Sequence, residues 1–318
     1  MKQSLRISFG VLVLLAVGEA FARFGLGLGD PPLIVIDSKI EYLFAPSRTY
    51  RRFGNTISYN SKSMRASEVP PVKKDGDRRV LVLGDSVVNG GALTDQRNIA
   101  SEILAQRLGP HFWVGNISAG SWGPANLLAY VERNGWFEAD AAIIVLSTHD
   151  VLDLPEFRSS YGPEFPETTP TSALVEGLTR YIPHYIPQLG SYLRSKPSPP
   201  SIVYSQHEQV ALGKDALRKL ISSATTNVMR VFVVLHPTRT ELASSRSAER
   251  ATLQSIVASA NVPTFDMLGA RAWGEKLYRD DIHPNEQGQA LYARVFECLL
   301  QAGTQTSNCD SIDATSPN

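Results

Sequence analysis

An α/β domain built on a parallel sheet is what this sequence predicts, and three observations carry that prediction. Apolar runs at Val80–Leu83, Ala141–Leu146 and Val231–Leu235 lack the alternation of a half-exposed strand, as strands buried on both faces require. Helical stripes lie between them, such as Ile99, Ile103, Leu104 and Leu108. Strands separated by single helices imply right-handed βαβ crossovers and hence a parallel sheet.

The totals narrow the function classes. With 318 residues, 43% of them hydrophobic, the chain buries a substantial core and forms one large domain plus appendages. Lys+Arg and Asp+Glu each number 31, and that zero formal charge gives no support to a nucleic-acid-binding surface. Cys298 and Cys309 sit near the C-terminus without CxxC spacing or a histidine cluster, so no zinc site is expected. Two readings stay open for them: a disulfide pinning the tail to the last helix, or two unrelated thiols. Nothing in the sequence implies a metal or an organic cofactor.

In chain order, residues 1–29 read as an export signal or a membrane anchor. Lys2 and Arg6 precede the apolar run Ile7–Val17, and Ala20-Phe21-Ala22 offers a small-x-small cleavage site. Phe21, Phe24 and Leu26 continue the apolar pattern, which favours retention with a span from about Leu5 to Leu26 and the positive end inside. Either way the domain is exported, to the periplasmic face of the inner membrane if anchored or to the periplasm or beyond if cleaved.

Residues 30–77, rich in Asn, Ser, Pro and Arg, suit an extended stalk packing on the domain, which then occupies residues 78–303. Strands are expected at Arg79–Leu83, Phe112–Ile117, Ala141–Leu146, Val231–Leu235 and Val262–Phe265, and helices over 98–108, 125–134, 203–223, 242–260 and 285–300. Asp153 to Pro200 breaks the rhythm with its prolines and the aromatic segment 181–187, and reads as an insertion near the site or a peripheral excursion. Residues 304–318, rich in Ser, Thr and Asn, suit a disordered tail.

The chemistry begins where the first core strand stops. Gly84-Asp85-Ser86 ends it abruptly and leaves Ser86 at the carboxyl edge of the sheet, where open α/β folds place their ligands. A serine hydroxyl is a weak nucleophile that needs a base within hydrogen-bond reach, oriented by a third group. Asp280-Asp281-Ile282-His283, just before the final helix, supplies both: one short turn lets Asp280 accept from the Nδ1–H of His283 while Nε2 faces outward.

In these motifs and their order the chain resembles the SGNH (GDSL-type) hydrolases, from about Arg79 to Leu300. The resemblance implies a flavodoxin-like three-layer α/β/α sandwich with a parallel five-stranded sheet. It also implies a Ser86, Asp280 and His283 triad that attacks a carboxylic ester. The family's second motif offers a glycine N–H to the oxyanion, and counting from Asn116 gives Ser121, with Gly120 beside it. Its third motif, Gly-x-Asn-Asp, reads Ser147-Thr148-His149-Asp150 here, so His149 takes the place of the donor asparagine. An imidazole N–H can serve that role. Asp85 is expected to brace the turn, His236 to approach the site from the same sheet edge, and Trp122 and Asn126 to line a pocket or pack in the core.

The expected activity is therefore hydrolysis of O-acyl, in particular acetyl, esters on envelope or secreted carbohydrate through a Ser86 acyl-enzyme. The partners implied are an acylated carbohydrate or other small ester, and a membrane through the N-terminal segment. Acyl transfer to a sugar hydroxyl by the same triad, and a non-catalytic assembly role that keeps the fold, are the alternatives.

Overall fold

The computed structural model describes residues 2–182, 186, 196–244 and 248–312. Five parallel strands form the central sheet: β5 (Arg78–Gly84), β6 (Phe112–Ser118), β7 (Ala141–Ser147), β8 (Arg230–His236) and β9 (Thr264–Asp266). Their order is β6-β5-β7-β8-β9, the flavodoxin-like arrangement expected. The chain leaves β5 in one direction to reach β6 and later returns to the other side of β5 as β7. The loops after β5 and β7 therefore diverge and open a crevice at the switch point between them.

Alternation along the strands feeds two cores. Leu81, Leu83, Ile144, Leu146, Val233 and Leu235 face one helical layer, while Val80, Val82, Ile143, Val145, Phe232 and Val234 face the other. Helices Pro124–Asn134, Gln206–Asn227 and Ala248–Ser259 cover the first face, and Ala100–Leu108 and Glu286–Ala302 cover the second. Each buried Val, Leu or Ile contributes about 1.5–3 kcal/mol, so continuous apolar runs are what hold these strands in the middle layer. The helix expected over 203–223 begins instead at Gln206, because the Ser205 hydroxyl accepts from Glu208 N–H and the Glu208 side chain returns to the cap.

Two segments differ from their composition-based expectations. Residues 30–77 do pack on the domain, but as two antiparallel hairpins, β1 (Ile34–Asp37) with β2 (Glu41–Phe44) and β3 (Arg48–Arg52) with β4 (Asn55–Tyr59), rather than as an extended stalk. Their buried residues are scattered aromatic and aliphatic positions, Tyr42, Tyr50, Ile57, Tyr59 and Met64, which no apolar run announces. Two guanidinium groups are buried with them. Arg52 pairs with Glu176 at 2.6 Å, and Arg65 donates to the carbonyls of Asn89, Gly91 and Thr94 at 2.5–2.7 Å.

The start of the tail is likewise ordered. Cys309 is buried in a 3-10 turn (Thr306–Cys309) and forms a disulfide with Cys298, and the Thr306 hydroxyl donates to the Thr264 carbonyl at 3.0 Å. A covalent link and an edge contact outweigh the polar composition over 304–312; residues 313–318 lie outside the described residues.

At the N-terminus the expected apolar segment is helical. Helix α1 (Lys2–Ala20) runs into a π-helical turn, Phe21–Gly25, and Leu5–Gly25 is long and apolar enough to cross a membrane, with only 6% of it buried. Its end is joined to the insertion. Glu19 accepts from the Ser172 hydroxyl at 2.7 Å and from the N–H groups of Ala173 and Leu174 at 2.9 and 3.0 Å. Those N–H groups open a short helix, Ala173–Glu176, and would otherwise have no intrahelical partner. Glu176 in turn accepts from Gly29 N–H. His184, within the aromatic part of the insertion, lies outside the described residues.

Candidate active site

The nucleophile turn is built by local sterics. A Cβ at Gly84 would stand 2.6 Å from Val88 Cγ2 and 3.2 Å from the Val145 carbonyl, so only glycine lets β5 turn this tightly. Asp85 caps the short helix that follows, Ser86–Asn89, its carboxylate accepting from Val87 N–H at 2.8 Å. Gly90 ends that turn with a left-handed φ of 76°. Ser86 is left half-buried at the carboxyl end of the sheet.

From the other end of the chain, His283 places Nε2 at 2.9 Å from Ser86 Oγ and Nδ1 at 2.9 Å from both oxygens of Asp280. Asp280 also accepts the N–H groups of Ile282 and His283, at 3.1 and 2.8 Å. Burial alone would raise the Asp280 pKa, but these N–H groups and the imidazole outweigh it and leave the carboxyl below its ordinary value. The loop is tied at both ends: Arg279 N–H donates to the His283 carbonyl and Asn285 N–H to the Leu277 carbonyl, each at 2.8 Å.

His236 braces the same loop from below. It is fully buried, with Nε2 at 2.7 Å from the Ile282 carbonyl and Nδ1 at 2.5 Å from the Tyr292 hydroxyl. These partners set the tautomer: Nε2–H donates to the carbonyl, and Nδ1 accepts from Tyr292. Burial pushes the ring pKa down to about 3, so His236 is neutral. It makes no approach to the open site, and the expectation of such a contact is corrected here: its strand end is roofed by the Asp280–His283 loop.

The loop after β6 carries Gly120 and Ser121. Asn89 holds its start by donating to the Ser118 carbonyl at 3.0 Å, and the Tyr42 hydroxyl donates to the Gly120 carbonyl. Ser121 is exposed with φ at 57°, a left-handed conformation that costs an L residue about 1–2 kcal/mol. A glycine would adopt this conformation without that cost. Trp122 is buried and packs with Tyr42 and Tyr130, and Asn126 is buried, donating to the Ile40 carbonyl and to Glu41. Both residues belong to the core, not to a pocket wall.

At the end of β7, His149 is 41% exposed and directs Nε2 towards three carboxylates. Asp150 Oδ1 lies at 3.4 Å, Asp85 Oδ2 at 3.6 Å and Asp153 Oδ2 at 3.6 Å. Burial raises the pKa of Asp85 and Asp150. Burial and the Asp85 charge bring Asp153 up to about 6, although the imidazole pulls the other way. Asp85 does brace the turn, through Val87, and it also forms part of this acidic cage. Asp85, His149 and Asp150 each present a ligand atom within 4.8 Å of the others, a grouping that could hold a metal ion among the described residues. Asp153 escaped sequence reasoning, and its one signal is the i, i+4 spacing from His149.

Beside Ser121 opens a cavity of about 330 Å3, lined among others by Glu41, Asp153, Glu156, Tyr204 and Gln209. The insertion therefore does reach the site's rim, through residues 153–156 and 200.

The model of the GDSL-like Lipase/Acylhydrolase family matches residues 82–291, two thirds of the chain. No curated protein sequence matches. Among solved structures, a catalytic mutant of Axe2, an acetylxylan esterase from Geobacillus stearothermophilus, is similar at 15% identity with a TM-score of 0.42, covering 74% of this chain and 98% of that one. TesA is similar at 15% identity with a TM-score of 0.43, covering 70% and 98%. The family match spans both Ser86 and the Asp280–His283 pair, and the chain belongs to the GDSL-like lipase/acylhydrolase family as an SGNH-type carboxylic ester hydrolase.

Proposed function

We propose that this enzyme removes O-acyl groups, acetyl foremost, from carbohydrate outside the cytoplasm, through an acyl-enzyme on Ser86. The observation that carries the mechanism is the line of contacts Ser86 Oγ, His283 Nε2, His283 Nδ1, Asp280, each at 2.9 Å. Ser86 Oγ attacks the ester carbonyl carbon while its proton passes to His283 Nε2. Asp280 holds the ring and stabilises the imidazolium that forms. The carbonyl electrons collect on an oxyanion met by the N–H groups of Ser86, Gly120 and Ser121 and by Nδ1–H of His149. Collapse expels the alcohol, which takes the proton from His283. Water then attacks the acyl carbon, gives its proton to His283 and releases the acid and Ser86.

The carbohydrate reading is supported by the polar cavity beside Ser121, whose Glu, Asp, Gln and Tyr side chains suit a hydroxyl-bearing alcohol. Retention of the N-terminal helix as an anchor is supported by Glu19, whose three bonds to Ser172–Leu174 make the helix end part of the domain. Release of acid from a chromogenic acetyl ester by the full-length protein in detergent, beside Ser86→Ala, tests the mechanism. The variant is expected to fall by at least about 10³-fold. Turnover that survives Ser86→Ala would refute the acyl-enzyme, and an acceptor oligosaccharide that diverts the acyl group from water would favour transfer.

A further inference from the structure

We propose that the apolar groove where the N-terminal helix meets residues 173–182 holds an acyl chain of a phospholipid from the bilayer crossed by Leu5–Gly25. The inference rests on the anchored reading of that helix and adds a lipid site to it. The groove encloses about 760 Å3 and is lined by apolar side chains, including Phe21, Leu28, Phe53, Leu93, Leu174 and Leu178. Several of these stand in the open: Leu93 is 54% exposed, Leu178 46% and Phe21 63%, with Val175 beside them at 47%. An apolar surface of this kind left to water is unfavourable, and its exposure marks an interaction site.

Continuity identifies the occupant. Leu5, Phe9, Leu12 and Leu14 of the helix are at least as exposed as the groove residues, so the apolar surface of the span adjoins the groove. Gly18 and Phe21 belong both to the span and to the groove wall. At 1.5 Å per residue, Gly18 lies about 10 Å inside the Gly25 end of the helix, at the depth of acyl chains rather than of headgroups. Glu19 fixes this geometry through its bonds to Ser172, Ala173 and Leu174, so the groove cannot drift from the bilayer surface.

Full-length protein in vesicles of phosphatidylcholine and phosphatidylglycerol, carrying a phospholipid with a diazirine midway along one chain, tests the proposal. After photolysis, lipid adducts are expected on peptides containing Phe53 and residues 173–182 as well as on residues 5–17. Leu178→Glu and, independently, Leu174→Trp are each expected to cut the groove adducts by about tenfold while adducts on 5–17 and turnover of a soluble ester persist. Adducts confined to the helix would overturn the groove and leave the anchor standing. Adducts on neither would overturn both. A photoreactive residue at position 178 that cross-links to a second copy, or to another part of the same chain, instead of lipid would also overturn it.

Discussion

Replacing His149 by alanine is expected to lower kcat by about 10²–10³-fold with KM little changed, because the donor it supplies acts only on the charge that develops in the transition state. The figure corresponds to about 2.7–4 kcal/mol, the usual cost of losing one oxyanion donor from a site that keeps the others. Two features of the structure place His149 in that range. The backbone donors of the Ser86 turn and the Gly120–Ser121 loop do not depend on it, so activity should not vanish. Its Nε2 faces Asp85, Asp150 and Asp153 at 3.4–3.6 Å, which orients the ring and leaves Nδ1 for the oxyanion. His149→Asn, whose side-chain amide can also donate, should recover much of the loss. Steady-state rates on a chromogenic acetyl ester between pH 6 and 8 measure it. If His149→Ala stayed within a few-fold of wild type while Ser86→Ala was dead, the histidine would be a countercharge for the acidic cage and nothing more.

Two further expectations follow from buried groups. Burial brings Glu41 up to about 7 from its ordinary 4.5, so the folded protein holds that proton more tightly than the unfolded chain. This contribution is complete below pH 4.5 and is lost as pH rises through 7, on the order of 3 kcal/mol in all for a carboxyl that is only 4% exposed. Thermal melts of Glu41→Gln should show a flatter decline between pH 5 and 8 than wild type; an unchanged slope would remove Glu41 as its source. His236→Ala should lower Tm and kcat together, since it strands the Ile282 carbonyl and the Tyr292 hydroxyl at about 1–3 kcal/mol each and loosens the loop holding Asp280 and His283. A lower Tm with wild-type kcat would show that the loop holds itself.

The sheet and the contact of Asp280 with His283 could be read from the sequence because each is set by a local constraint. Val80–Leu83 is apolar without alternation because both its faces are covered, and Gly84 must be glycine because Val88 and Val145 leave no room for a Cβ. Asp280 and His283 meet within one turn, so their spacing alone brings them together. What could not be read depends on distant partners. The cage around His149 closes only when Asp85, from the turn after β5, meets Asp150 and Asp153 of the loop after β7. Tyr42, Arg52 and Arg65 look like surface residues in a polar stretch and are buried only because Gly120, Glu176 and the 89–94 turn receive them. Trp122 and His236 resemble pocket residues until Tyr42, Tyr130 and the 280–283 loop enclose them.

The bonds of Arg65 separate the evolutionary unit from the folding unit. Its guanidinium satisfies the carbonyls of Asn89, Gly91 and Thr94, the stretch leading away from the nucleophile, yet it lies 17 positions before the first residue that the family model matches. A chain cut back to those matched bounds would keep Ser86, Asp280 and His283 and leave three carbonyls behind the nucleophile without their donor. A piece of this protein that keeps those carbonyls satisfied therefore begins at or before Arg65, upstream of the motifs by which the family is recognised.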